Sequence, residues 1–185
     1  MEIEPMNAPI LGGLLGLMWA KNKDEEDAAY SRLATIVADL DGTFQDMQDV
    51  IVDHRDEAID VLLPRVAGLR RGSPEFLREF RRTFRPWALR DRPVLRGQAQ
   101  HLHETRTLLP FMPGWEHITP AGQIALPGRF DEVVDVMEAW LRFFDEAVDG
   151  RGASVIDRWD EANAAWIAQL ALIELRAPGD GTARR

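Results

Sequence analysis

Three stretches of the chain spell the same acidic pattern, Asp-Glu-x-x-Asp, at Asp56 to Asp60, Asp131 to Asp135 and Asp145 to Asp149. Carboxylates at i and i+4 share one face of a helix, and such a pair offers the oxygen ligands that a hard cation like Mg²⁺ takes. Several all-α enzymes acting on diphosphates or nucleotides carry acidic helical motifs of this general kind. Asp56, Asp60, Asp131, Asp135, Asp145 and Asp149 are therefore the candidate metal-holding residues of a Mg-dependent hydrolase acting on a phosphate ester or nucleotide. The Glu-x-x-Glu partner motif expected of nucleotide pyrophosphohydrolases is absent. Polar-polar-apolar-apolar-polar is also what any amphipathic helix of an acidic protein spells.

Other catalytic patterns are missing. The chain has no HExxH, no GxxxxGK[ST], no GxGxxG and no GxSxG. None of the four histidines has Glu three residues before it, as a ferritin-like site requires. His54, flanked by Asp53 and Glu57, is the one histidine placed to join a metal site, and it also fits as a packed helix residue. With no cysteine, thiolate nucleophiles, Cys-ligated zinc and iron–sulfur clusters are excluded, and a reducing cytoplasm is the expected setting. No cofactor is expected outside the Mg-dependent alternative.

Charge is strongly segregated. Residues 24–60 hold twelve acids against Arg32 and Arg55, a local charge of −10, whereas residues 65–96 hold ten arginines against three acids, +7. Lysine occurs only at Lys21 and Lys23. Arginine favours bidentate contact with carboxylate or phosphate, so the basic segment points either to the acidic helix, in the same chain or in a neighbouring protein subunit, or to a nucleic-acid backbone. Arg78, Arg81, Arg82 and Arg85, with Trp87 beside Pro86, are the candidate interaction residues there. The nucleic-acid alternative gains a second feature at Ile118-Thr119-Pro120-Ala121-Gly122, which resembles the Leu-Thr-Pro-Ala-Gly stretch of winged-helix regulators of the MarR type. The Asp-x-Arg wing that accompanies it in that family is absent.

These residues need elements to position them. From Asp24 to Leu63 apolar residues recur at spacings of three and four, through Leu33, Val37, Leu40, Phe44, Met47 and Ile51, in phase across Gly42. That predicts one helix of about 40 residues, ended by Pro64. Ser73-Pro74-Glu75 reads as a cap with proline at the first helical position, opening a short helix stopped by Pro86. A second short helix is expected from Val94 to Leu109. Residues 110–128, with four prolines and three glycines, are expected to form a surface loop, a small β-hairpin or a Thr-capped turn, without a long helix. Helices from Arg129 to Val148 and from Ser154 to about Arg176 close the chain as a helical hairpin.

The N-terminal run from Ala8 to Ala20 is uncharged and too short to span a bilayer, which takes about 20 residues. Its apolar residues, Ile10, Leu11, Leu14, Leu15 and Trp19, need a covering surface, either protein or the face of a membrane. The chain thus reads as an all-α multi-helix bundle: an apolar segment 1–23, one helical domain 24–177 and a polar tail 178–185. The expected function is that of a non-enzymatic assembly or interaction subunit in a homo- or hetero-oligomer. The Mg-dependent hydrolase and the nucleic-acid-binding protein are the alternatives.

Overall fold

A computed structural model describes residues 23–176, and every regular element in that range is helical. Helix α1 runs Lys23–Val66, α2 Pro74–Leu108, α3 Pro120–Val148 and α4 Ser154–Arg176, with single 3₁₀ turns at Leu109–Phe111 and Trp115–His117 between α2 and α3. The architecture is an all-α bundle. Among the described residues no helix is long and apolar enough to cross a membrane.

The 44 residues of α1 span about 66 Å at the usual rise. Its buried apolar positions are Leu33, Val37, Leu40, Phe44, Met47, Ile51, Ala58 and Leu62, in the expected three-and-four phase, and Gly42 lies within the helix without interrupting it. Pro64 does not end α1. A proline in the last turn removes only its own amide, so the helix continues to Val66 and stops where Gly68 adopts φ +79°, a backbone region that favours glycine.

Helix α2 departs most from expectation. Ser73 caps it, accepting the Phe76 amide at 3.2 Å with Pro74 in the first turn, but Pro86 and Pro93 both lie inside one continuous 35-residue helix. Two short helices were expected. Both proline rings sit on the exposed side, where the carbonyls they free, those of Arg82 and Leu89, can bond water. The opposite side buries Phe80, Phe84, Trp87, Leu95, Ala99 and Leu102 in unbroken helical phase. Tertiary burial along that face outweighs the local cost of two prolines.

The irregular segment is correspondingly shorter than 110–128. Thr119 accepts the Gly122 amide at 3.2 Å, Pro120 occupies the first turn, and α3 begins there and runs through Pro127. The Pro-Ala-Gly stretch is thus a helix start, and neither a hairpin nor a wing forms among the described residues. Between α3 and α4, Gly150 is required by space: a Cβ there would stand 2.5 Å from the Glu146 carbonyl oxygen.

Helix α3 is the centre of the bundle, burying Leu126, Phe130, Val133, Met137, Trp140, Phe143, Phe144 and Ala147. Around it the rings of Phe80, Phe84 and Trp87 from α2 and Trp159 from α4 interlock with Trp140, Phe143 and Phe144. The Phe84–Trp159 centroids are 4.6 Å apart, those of Phe143 and Trp159 5.0 Å, and those of Trp87 and Phe144 5.1 Å. Such tilted and edge-on pairs add to the area that they bury.

Phe84→Ala is expected to cost about 3–5 kcal/mol in denaturant unfolding, the usual toll of emptying a buried aromatic position. Pro86→Ala should instead raise stability by about 1–2 kcal/mol, since it restores an amide to an exposed helix interior. A loss of stability in Pro86→Ala would show that α2 is broken there.

Candidate interaction surface

The arginines of α2 fall into two sets. Arg92 donates to Asp145 at 3.2 Å and Asp149 at 2.8 Å, and Arg96 reaches Asp145 at 3.1 Å. Arg106 holds Asp131 through two bonds of 2.9 and 3.0 Å. These pairs join i and i+4 arginines of α2 to i and i+4 aspartates of the antiparallel α3, which sets the register between the helices. The hydrogen bond to Asp149 holds the Arg92 guanidinium above its ordinary pKa, with Asp145 adding to the effect and desolvation opposing it. Nearer the start of α2, Arg71 pairs with Asp160 of α4 at 2.5 Å and Arg81 donates to the Gly152 carbonyl. Arg78 and Arg85 are exposed and take part in none of the ion pairs found among the described residues, while Arg82 makes only a 3.9 Å approach to Glu79 on its own helix.

This accounting redistributes the candidate residues. Arg78, Arg82 and Arg85 face solvent, but Arg81 is engaged within the fold and Trp87 is 6% exposed, packed among rings instead of standing as a surface anchor. Ile10, Leu11, Leu14, Leu15 and Trp19 lie outside the described residues. Of the acidic motifs, Asp131, Asp145 and Asp149 are arginine partners, Asp56 pairs with the adjacent Arg55 at 3.1 Å, and Asp60 and Asp135 are exposed. No cluster of three His, Asp or Glu side chains suited to a metal ion occurs among the described residues. His54 is half-buried near Trp87, 3.9 Å from Glu57, while Asp53 points to solvent.

The acidic side of α1 has no such partners. Asp46, Asp49, Asp53, Asp56, Glu57 and Asp60 are all exposed, and none forms an ion pair with another helix. Among the described residues no ion pair joins this acidic side to the basic segment of the same chain, although the charge of Glu57 acts on the nearby Arg90 guanidinium. The only described ion pair from α1 to another helix joins Asp39 to His101 at 3.4 Å.

One acid of α1 does point inward, although its charge groups it with the exposed acids. Asp41 is 6% exposed, and neither carboxylate oxygen has a hydrogen-bond partner. Arg129 of α3 and Gln169 of α4 are the other buried polar residues on the described part of the chain. The Arg129 guanidinium lies over the Phe44 ring at 5.5 Å, approaches Glu132 at 3.4 Å and donates to the Gln169 side-chain carbonyl. Phe44 in turn stacks on Trp166 at 5.5 Å. Burial pushes the Asp41 carboxyl from 3.8 up to about 6, and the attraction of Arg129 offsets only part of that rise.

Three clefts lie along the seam where α1 meets α2 and the 3₁₀ segment. The largest, about 440 Å³, is apolar and bounded by Leu33, Ile36, Met112 and Trp115. One of about 230 Å³ lies between Val50 and Val94, and another of about 220 Å³ between Val61 and Pro86. Val50, Val61 and Val94 remain exposed along this side.

No protein-family model matches the chain, and no curated protein or solved structure is significantly similar to it. Its chemistry has to be argued from its own residues.

Two measurements check this description. Because the folded chain holds a proton on Asp41 that the unfolded chain releases, this group's contribution to stability falls as pH rises between about 4 and 6. Relative to Asp41→Asn, the wild type should lose about 2 kcal/mol between pH 4.5 and pH 7.5, a difference readable from paired urea titrations. Equal pH slopes in the two proteins would contradict it. Addition of Mg²⁺ is expected to leave the melting temperature unchanged, because Asp131, Asp145 and Asp149 already hold guanidinium groups.

Proposed function

We propose that the chain is a non-enzymatic helical assembly subunit that binds protein partners through its exposed charged faces and its apolar N-terminal segment. The observation that carries this reading is the unpaired charge. The arginines of α2 that pair with acids of another helix, Arg92, Arg96 and Arg106, pair with those of α3, so the acidic side of α1 and the exposed Arg78, Arg82 and Arg85 of α2 are left for other molecules. Complementary charge of this kind sets orientation and association rate more than affinity. Affinity then needs apolar cover, which residues 8–20 and the exposed aliphatics of the α1–α2 seam offer at about 25 cal/mol per Å² buried.

Nucleic-acid binding is the second reading, favoured by the exposed Arg78 and Arg85 and opposed by the exposed acids of α1. Retention on DNA or RNA that declines steeply with salt is its signature. The hydrolase reading draws no support from carboxylates already neutralised by arginine.

The test is the native mass of the purified chain, full-length and lacking residues 1–20, at about 50 mM and about 500 mM salt. Full-length protein is expected to assemble at low salt and to weaken at high salt. The truncated chain should keep its helical content yet assemble less. A full-length monomer under all conditions, or truncated protein that assembles unchanged, would overturn the assembly reading.

A further inference from the structure

The largest cleft lies toward the start of α1. One wall is α1 itself, with Leu33 and Ile36, and the other is Met112, Pro113 and Trp115 of the 3₁₀ segment. Asp39 pairs with His101 of the antiparallel α2, so Leu108, the last residue of α2, stands near the level of residue 32, and the first turns of α1 run on past it. The chemistry of the cleft selects an apolar occupant. The Ser31 and Thr35 hydroxyls at its edge are already spent, each donating at 2.8 Å to a carbonyl one turn back, those of Asp27 and Ser31. Arg32 is the one charged residue lining it among the described residues. Phe111, beside Met112 in the chain, is 81% exposed, so apolar surface continues past the cleft.

From this arrangement we infer that residues 8–20 of the same chain fold back along the start of α1 and seat Ile10 and Leu11 in this cleft. The occupant follows from position, length and polarity. The run from Ala8 to Ala20 is uncharged, and only Lys21 and Asn22 separate it from α1. A connection of two residues between helices makes them antiparallel neighbours. Wound as a helix, the thirteen residues cover about 20 Å, which is also the length of α1 from Lys23 to Ile36. With Ala20 beside Lys23, Ala8 comes level with Thr35, and Ile10 and Leu11 with Leu33 and Arg32. The apolar side chains of the run thus arrive at the one apolar cleft within their reach among the described residues, short of the exposed acids further along α1.

The choice of the same chain follows from the tether. A segment joined by so short a linker meets its own cleft at an effective concentration of about millimolar order, above that of a separate molecule. Gly12, Gly13 and Gly16 weaken the run as a free helix in water, so the surface that receives it also sets its form. This inference goes beyond the assembly reading and does not depend on it, because it says where the segment rests in a single subunit. A partner that takes up residues 8–20 competes with the cleft, and release of the segment becomes a step in assembly.

The chain has no cysteine, so paired cysteines read the contact directly. Ala8→Cys with Thr35→Cys places one thiol on the run and one at the exposed edge of the cleft. Ala8→Cys with Ala153→Cys, exposed beyond the far end of α3, is the control. In full-length protein at about 1 µM under mild oxidation, the cleft pair is expected to close within one chain at least about tenfold faster than the control. Met112→Glu, which puts a charge into the cleft, should slow that closure at least about tenfold while circular dichroism shows the helices intact. If the two pairs close at equal rates, or Met112→Glu leaves the rate of the cleft pair unchanged, residues 8–20 do not rest in the cleft. Cross-links between two chains in place of closure within one put the segment on a neighbour and overturn docking on its own chain. None of these outcomes depends on the native mass at low salt, so this inference and the assembly reading fail separately.

Discussion

The interlock of aromatic rings around α3 is the interaction on which the other features of the molecule depend. Trp140, Phe143 and Phe144 present rings toward both neighbours, and Phe80, Phe84 and Trp87 of α2 and Trp159 of α4 close around them. Because this burial is continuous along α2, the helix can carry two internal prolines on its wet side and still remain one element. Its length is what brings Arg92, Arg96 and Arg106 alongside α3, so the ion pairs with Asp145, Asp149 and Asp131 are consequences of the packing. Exposed pairs of this type contribute about 0.2–1 kcal/mol each. Their role is to select a register for helices already held together by the rings.

Helix α1 joins this unit on different terms. Its apolar stripe is long, but three clefts lie along its seam with α2 and the 3₁₀ segment. Where it crosses α3 and α4 it buries Asp41 opposite Arg129 and Gln169. A carboxylate without hydrogen bonds in a dry contact is costly when ionised, and at neutral pH that cost falls on the docking of α1 alone. Arg129 softens it by attraction while spending its own donors on Gln169 and Glu132 and its face on Phe44. Thus α2, α3 and α4 form a tightly packed unit, and α1 is attached to it by an imperfect contact.

How much of this the sequence made legible depended on whether local or tertiary terms decided. The α1 stripe and the Ser73 cap are repetitive or short-range signals, and both appear where the residues placed them. Pro86, Pro93 and Pro127 are strong local breakers, yet the buried positions Phe80, Phe84, Trp87, Leu95 and Ala99 keep helical phase across the first two. Weighing that phase against the prolines would have joined the two short helices into one. Thr119-Pro120 could be read as a turn or a cap, and only the apolar positions beyond, Leu126 and Phe130, identify it as a helix start. Asp41 was the least visible of all. Its spacing from Val37 and Phe44 puts it on the inner face, but its charge groups it with the acids outside, and only the placement of Arg129 across the core shows that it faces inward.

The weakness of the α1 contact bears on the assembly reading. Any molecule that binds α1 and α2 together in their docked arrangement stabilises that arrangement by mass action, in proportion to its concentration over its dissociation constant. A partner laid across the seam would cover Val50, Val61 and Val94 and supply cations to the acidic ridge, acting on the helix that the rest of the chain holds least firmly. Sorting acids onto α1 and free arginines onto α2 has little value for solubility, which interspersed charges serve as well. It leaves acids on α1 and arginines on α2 exposed for recognition. The buried carboxylate and the outer charge pattern would therefore act on the same equilibrium, the first loosening α1 at neutral pH and the second letting a partner restore it.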